Sequence, residues 1–330
     1  MAIDEQQLKR IEARFAASGF SVNERSRLQA LVPTAARVLS NDYGSAPGLE
    51  FAIDEARVIV VPGVPSELKG IITDHVLPTL TSGDSIDRKT ILVFGPIESE
   101  LANTLADLAP LIDAAVSLAY LPSPGGIRLR AMRIGNVPDV VKRFESLVEG
   151  IRQRVHSWIV SEDGSLMPEA VGKALREHDM KLCTAESCTG GLIGKLLTDG
   201  AGSSDYYVGG VVSYSDSVKS SMLDVPAETI AKHGAVSEQV ARAMSEGARK
   251  RLGADIAVSV TGVAGPGGGS DAKPVGTVWI SVATEHETRA KLFHLGRERD
   301  VIRQRAAYIA LNLVRRTVLG WVDLPTDSKR

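Results

Sequence analysis

Ser187 stands in the run Thr184-Ala185-Glu186-Ser187-Cys188-Thr189-Gly190-Gly191, and its setting is one in which chemistry is often done. Lys181-Leu182-Cys183 before it reads as the end of a strand. Leu192-Ile193-Gly194-Lys195-Leu196-Leu197 after it reads as the first turns of a helix, once two glycines have let the chain bend. A serine at such a turn projects from the carboxyl end of a sheet, close to the unpaired N–H groups of the coming helix. Those donors could steady a tetrahedral oxyanion or bind an anion. The plain alternative is an N-cap, in which the hydroxyl satisfies backbone donors and nothing more.

Two further groups share that position at a strand end. Val208-Gly209-Gly210-Val211-Val212-Ser213 reads as a strand that delivers Tyr214, with Lys219 in the first turn of the next helix. Ile256-Ala257-Val258-Ser259-Val260 reads as a buried strand running into the glycine loop Thr261 to Gly269. Ligand sites of α/β sheets form where such strand ends converge. A serine with a lysine can hydrolyse an amide without histidine, provided the lysine is desolvated or lies near another cation. Lys219 would be the base, and Tyr214 a proton relay or oxyanion donor. The glycine loop lacks the Lys-Ser or Lys-Thr of a Walker A motif but could present backbone N–H groups to a phosphate. Taken singly, Lys219 reads as a surface lysine, Tyr214 as core and the glycines as a turn.

The elements that must position these groups follow from periodicity. At 330 residues the chain calls for two or three domains. Residues 1–85 open with a helical pattern at Leu8, Ile11 and Phe15. Arg57-Val58-Ile59-Val60-Val61 then reads as a short buried strand, and a helix starts near Pro65 or Ser66. Residues 86–160 read as a β-α-β-β-α module whose strand Ile127 to Met132 alternates apolar and basic residues. Arg128, Arg130 and Arg133 lie there without an aromatic platform, as on a solvated strand face. Residues 161–330 alternate strands and helices and close with a strand pair and a long helix from Arg299. The expected fold is α/β: a C-terminal layered domain with a mixed sheet, a small connector and a partial N-terminal α/β domain.

Composition narrows the function classes. Hydrophobic content of 44% with 24% charged residues is that of a soluble globular chain. A formal net charge of −2 leaves no electrostatic footprint for nucleic acid. No apolar run approaches the ~18 residues of a membrane span, and the polar, acidic start is unlike a secretory signal. Cys183 and Cys188 are too few for a disulfide scaffold, so reduced thiols and a cytoplasmic setting are expected.

Thr184 to Gly191, Ala201-Gly202-Ser203-Ser204, Val212-Ser213-Tyr214-Ser215 with Lys219, His233 to Ser237, Thr261 to Gly269, Lys273 to Val278 and Arg299 to Arg303 together resemble the C-terminal domain of the CinA (competence/damage-inducible) family. The resemblance implies an amidohydrolase that converts nicotinamide mononucleotide to nicotinate mononucleotide and ammonia, in pyridine nucleotide recycling. Ser187 resembles the family nucleophile, Lys219 and Tyr214 its activating partners, and Ser204 a serine near the site. Thr189, Gly190, Gly265, Gly267, Gly268, Lys273, Arg299 and Arg303 are the expected substrate-binding positions, the loop and the basic residues toward the phosphate and ribose. A homodimer with its sites near the subunit boundary is also implied, with a small nucleotide as substrate and no nucleic acid or membrane as partner.

Asn41 to Gly48 and Val61 to Glu67 resemble the second half of the family's N-terminal domain, related to molybdopterin-binding folds and credited with ADP-ribose pyrophosphatase activity. The first half of that domain should carry a Gly-Gly-Leu-Gly-Pro-Thr-type loop, and no such segment precedes Met1. The second piece resembles the family's KH-like connector. Amidase chemistry needs no cofactor, and a divalent metal enters only with the pyrophosphatase. Against the amidase stand that pyrophosphatase and a non-catalytic partner protein in DNA uptake or damage response. A thiol mechanism through Cys188 is a variant of the amidase, and Cys188→Ala should be nearly silent if Ser187 is the nucleophile.

Overall fold

The computed structural model describes residues 1–80 and 85–321. Residues 81–84 and 322–330, which hold the approach to the first expected boundary and the end of the third expected domain, lie outside the description. The chain divides into two compact units, Met1–Gly83 and Asp84–Arg330.

In the first unit the expected helix runs Glu5–Ala17, started by Asp4, whose carboxylate accepts the Gln7 N–H at 2.7 Å. Strands Arg37–Leu39, Gly48–Ile53 and Ala56–Val60 form an antiparallel sheet, covered by the helix Pro65–Ile71, which has proline in its first turn. Leu39, Ile71 and Val76 are its small core. The strand expected to be buried at 57–61 is present but not buried: Val58 is 38% and Val60 49% exposed. An unbroken apolar run identifies a strand without saying what covers it. Glu67 reaches back to the turn after the first strand, where Asn41 donates to its carboxylate at 3.0 Å and to the Ala46 carbonyl at 2.7 Å.

The second unit begins with a four-stranded antiparallel sheet in the order Val116–Ser123, Gly126–Ile134, Ile86–Val93, Ile159–Ser161. Helices Glu98–Thr104 and Pro138–Val155 cover one face. Ile127, Leu129 and Ala131 are buried against Phe144, Leu147 and Ile151, while Arg128 faces out, as the alternation predicts.

The remainder is a three-layer α/β domain. Its elements are α1 (Met167–Glu177), β1 (Leu182–Glu186), α2 (Leu192–Thr198), β2 (Tyr207–Val212), α3 (Asp216–Leu223), α4 (Ala227–His233), α5 (Glu238–Leu252), β3 (Ile256–Gly262), β4 (Thr277–Ala283), β5 (Thr288–His294) and α6 (Arg299–Val318). The sheet order is β2-β1-β3-β4-β5: β2, β1 and β3 run parallel, β4 runs antiparallel to β3, and β5 antiparallel to β4, which makes the sheet mixed as expected. Helices α1, α2 and α6 bury Met167, Leu175, Ile193, Leu197, Ala306 and Leu311 against one face. On the other face Cys183, Ala185 and Ala257 of the sheet meet Leu223, Val240 and Met244 of α3 and α5. Three parallel strands therefore release their carboxyl ends at one edge, between the two helical layers.

Candidate active site

Glu186 of β1 lies opposite Val212 of β2 and Val260 of β3. The ladder runs one residue further, since the Ser187 N–H donates to the Val260 carbonyl at 2.9 Å and the Ser213 N–H to the Glu186 carbonyl at 2.8 Å. Ser213, Ser187 and Thr261 thus come abreast on three adjacent strands. Residues two before each, Val211, Ala185 and Ser259, face α3 and α5: Val211 and Ala185 pack there, and the Ser259 hydroxyl donates to the Ala241 carbonyl of α5 at 2.6 Å. Alternation puts the three hydroxyl residues on that same face. The Thr261 hydroxyl follows suit, donating to the Ala235 carbonyl just before α5 at 2.8 Å.

Lys219 comes to this row from α3. It is 1% exposed, and its ammonium nitrogen lies 3.1 Å from the Ser213 carbonyl, 3.4 Å from the Tyr214 carbonyl and 3.4 Å from Asp216 Oδ1. Tyr214 is 62% exposed and its hydroxyl accepts from Arg299 at 3.2 Å. The single-residue readings of a surface lysine and a core tyrosine are therefore reversed. Sequence assigns polarity, but which way a side chain turns depends on the helix that follows the strand.

The donors around Ser187 are not those expected. The first-turn N–H groups of α2 are taken by Glu186, whose carboxylate accepts from Gly191 at 3.0 Å, Ile193 at 3.1 Å and Gly194 at 2.9 Å. Glu186 is 1% exposed, and it fills the anion site that the helix start would otherwise offer. An acid directly before the helix was the sequence signal for this, read only as part of the motif. The amides of Cys188 and Thr189, inside the turn, have no acceptor among the described hydrogen bonds. They belong to the two residues that follow Ser187 in the turn, the kind of donor an oxyanion would need. Gly190 and Gly191 make the turn possible at φ +61 and +91, where a side chain would be strained.

Helix α6 ties the loops together. Arg299 donates to the Gly265 carbonyl at 2.6 Å as well as to Tyr214, and Arg303, one turn on, donates to the Thr189 carbonyl at 2.9 Å. The amides of Gly265, Gly267 and Gly268 have no acceptor among the described hydrogen bonds. Ser187, Thr189, Gly190, Tyr214, Lys219, Gly265, Arg299 and Arg303 are thereby gathered, and the exposed Gly267 and Gly268 continue the same loop. Two expected residues make their bonds outside this set. Lys273 turns to α4 and donates to the His233 carbonyl at 2.7 Å, where a cation complements a helix end. Ser204 sits in a short turn before β2, at the amino end of a strand parallel to β1, so within one chain it lies at the opposite sheet edge from Ser187. Among the described residues no cluster of histidine, cysteine, aspartate and glutamate has the arrangement of a metal site. No helix among them is long and apolar enough to cross a membrane.

Cys188 is 5% exposed, and burial pushes its thiol up to about 12, with the Glu186 charge acting in the same direction. Cys183 is raised to about 12 by burial as well.

Fold and site define an α/β protein with a serine and a buried lysine at the carboxyl edge of a mixed sheet. Residues 165–318 match the CinA C-terminal domain, and residues 88–161 match the damage-inducible protein CinA KH domain. A competence-damage inducible protein of Symbiobacterium thermophilum is 41% identical over 98% of this chain and 79% of its own length. A CinA-like protein of Cytophaga hutchinsonii is 37% identical over 94% and 75%. Among solved structures, a CinA superfamily protein from Klebsiella pneumoniae shares 35% identity over 47% of this chain and 97% of its own, with a TM-score of 0.46. The chain belongs to the CinA family.

Proposed function

We propose that this protein hydrolyses the carboxamide of nicotinamide mononucleotide, releasing ammonia and nicotinate mononucleotide. The observation that carries the reading is the buried amine of Lys219, held 3.1 Å from the backbone of the residue beside Ser187. Ser187 Oγ attacks the amide carbon, with Lys219 as the base that accepts its proton. The Cys188 and Thr189 amides receive the oxyanion, and the same proton then leaves with ammonia. Water repeats the sequence on the acyl-enzyme and releases the carboxylate. Arg299, Arg303 and the free amides of the glycine loop offer the nucleotide's phosphate a cationic rim with backbone donors. Tyr214, exposed but tethered by Arg299, offers a flat face to the pyridine ring. A homodimer and a cytoplasmic setting belong to this reading through the family likeness.

The test is ammonia release from nicotinamide mononucleotide, without added metal, by the wild type, Ser187→Ala and Lys219→Ala. Turnover in the wild type and its loss in both variants, with unchanged circular dichroism, is the expected result. A folded but inert wild type removes this substrate from consideration.

A further inference from the structure

Arg315, near the end of α6, is 4% exposed, and its Nε has no hydrogen-bond partner among the described residues. Its guanidinium donates to the Asn312 side-chain oxygen at 3.3 Å and lies 5.2 Å from the centre of the Trp321 ring. Neither neighbour carries a negative charge. Burial, with the Arg316 charge beside it, pulls the Arg315 pKa down to about 10. A buried cation without a counter-charge is a costly arrangement and calls for an anion. Arg315 also lines a cleft of about 400 Å³ between the connector and the C-terminal domain. Strands Ile86–Val93 and Ile159–Ser161 supply Lys89 and Val160 to that cleft, and α1 supplies Ala170, Lys173 and Ala174. The acids of the cleft are already answered. Glu162 pairs with Arg152 at 2.7 Å and Lys89 at 3.6 Å, Asp163 pairs with Lys173 at 3.0 Å, and Lys173 also feels the charge of Glu177. Among the described residues, Arg315 is left as the cleft's cation without a carboxylate.

We propose that this cleft binds a small carboxylate with an apolar body, and that Arg315 takes the carboxylate group. A guanidinium presents a planar fork of donors that matches a carboxylate, and the bond is stronger where water is excluded. One negative charge answers the one charge of Arg315. A dianion such as phosphate would bring a second negative charge close to Glu162 and Asp163, so the monoanion is favoured. Val160, Ala170, Ala174 and Leu319 offer the ligand's body an apolar wall, and the volume is that of a small-molecule site. The helical rise puts Arg315 roughly 24 Å along α6 from Arg299, so the cleft is separate from the candidate active site. Occupancy of the cleft does not depend on what Ser187 does. A ligand held there touches the connector and the C-terminal domain at once, and stabilises the folded chain by mass action.

The probe is benzoate, with benzamide as its uncharged counterpart and inorganic phosphate as the dianion. Binding to the full chain is measured by isothermal titration calorimetry and by the shift in Tm. Wild type is expected to bind benzoate saturably with a raised Tm, benzamide about 30-fold more weakly, the range for losing a hydrogen bond to a charged group, and phosphate more weakly than benzoate. Arg315→Met should lose benzoate affinity about 30-fold as well, yet keep or raise its Tm without ligand, because it removes a buried unpaired charge. Arg315→Lys keeps the charge without the fork and should bind with intermediate affinity. Ala170→Leu leaves Arg315 in place and fills the cleft, so it should abolish binding, and it decides the matter if Arg315→Met does not fold. No saturable benzoate binding by the wild type, equal affinity for benzamide or phosphate, or wild-type affinity in Ala170→Leu or in a folded Arg315→Met overturns the site.

Discussion

The Tyr214 hydroxyl accepts from Arg299 at 3.2 Å, while Lys219 meets the same residue at its backbone carbonyl, 3.4 Å away. The phenol is thus tied to the cationic rim, and the lysine to the strand end. One residue serves two ends of the site through two different atoms.

Tyr214→Phe removes the bond to Arg299 and keeps the ring. The expected effect on hydrolysis of nicotinamide mononucleotide is a KM raised roughly threefold to tenfold, the range for one ordinary net hydrogen bond, with kcat little changed. Tyr214→Ala, which also removes the ring, should raise KM further. A fall of kcat in Tyr214→Phe by two orders of magnitude with KM constant would return the relay role to the phenol.

Glu186 ties the serine turn to α2 through three N–H groups. Glu186→Ala leaves those donors buried without an acceptor, and a loss of about 3 kcal/mol or more of stability is expected, read as a lower Tm. Glu186→Gln keeps one acceptor oxygen but turns an NH2 toward a donor, so an intermediate Tm is expected. In that variant kcat should fall more than KM changes, because the Cys188 and Thr189 amides lose their fixed place. Equal Tm for Glu186→Gln and wild type would show that the carboxylate does not hold the turn.

How far these relationships could be read beforehand differs from residue to residue. The alternation of strands and helices in residues 161–330 and the helix from Arg299 were legible, because local periodicity encodes them. Ser187, Lys219 and the glycine loop were found because each follows a strand. Ser213 and Thr261 were overlooked, each a single hydroxyl at the end of an apolar strand. They acquire meaning only once the parallel register sets them beside Ser187. Ser204 was expected at the site because its motif recurs with it, yet proximity in motif order is not proximity across a sheet. The opposed directions of Tyr214 and Lys219 depend on where α3 and α6 return, which local sequence does not express.

Cys188 offers a separate check on the choice of nucleophile. A thiol acts as nucleophile only as thiolate. With its value pushed up to about 12 by burial, about one molecule in 10,000 carries that form at pH 8. Iodoacetamide should therefore leave the native protein unmodified at Cys188 while the denatured chain reacts at both cysteines, and raising the pH from 7 to 9 should leave native labelling slow. Cys188→Ala removes a sulfur from the core between sheet and helices, at an expected cost of about 1 kcal/mol. Its ammonia release from nicotinamide mononucleotide should stay within about twofold of wild type, because the Cys188 amide, the part of the residue placed to serve the reaction, survives the substitution. Loss of turnover in a folded Cys188→Ala, with rapid alkylation of the native wild type, would move the nucleophile from the hydroxyl to the thiol one residue on.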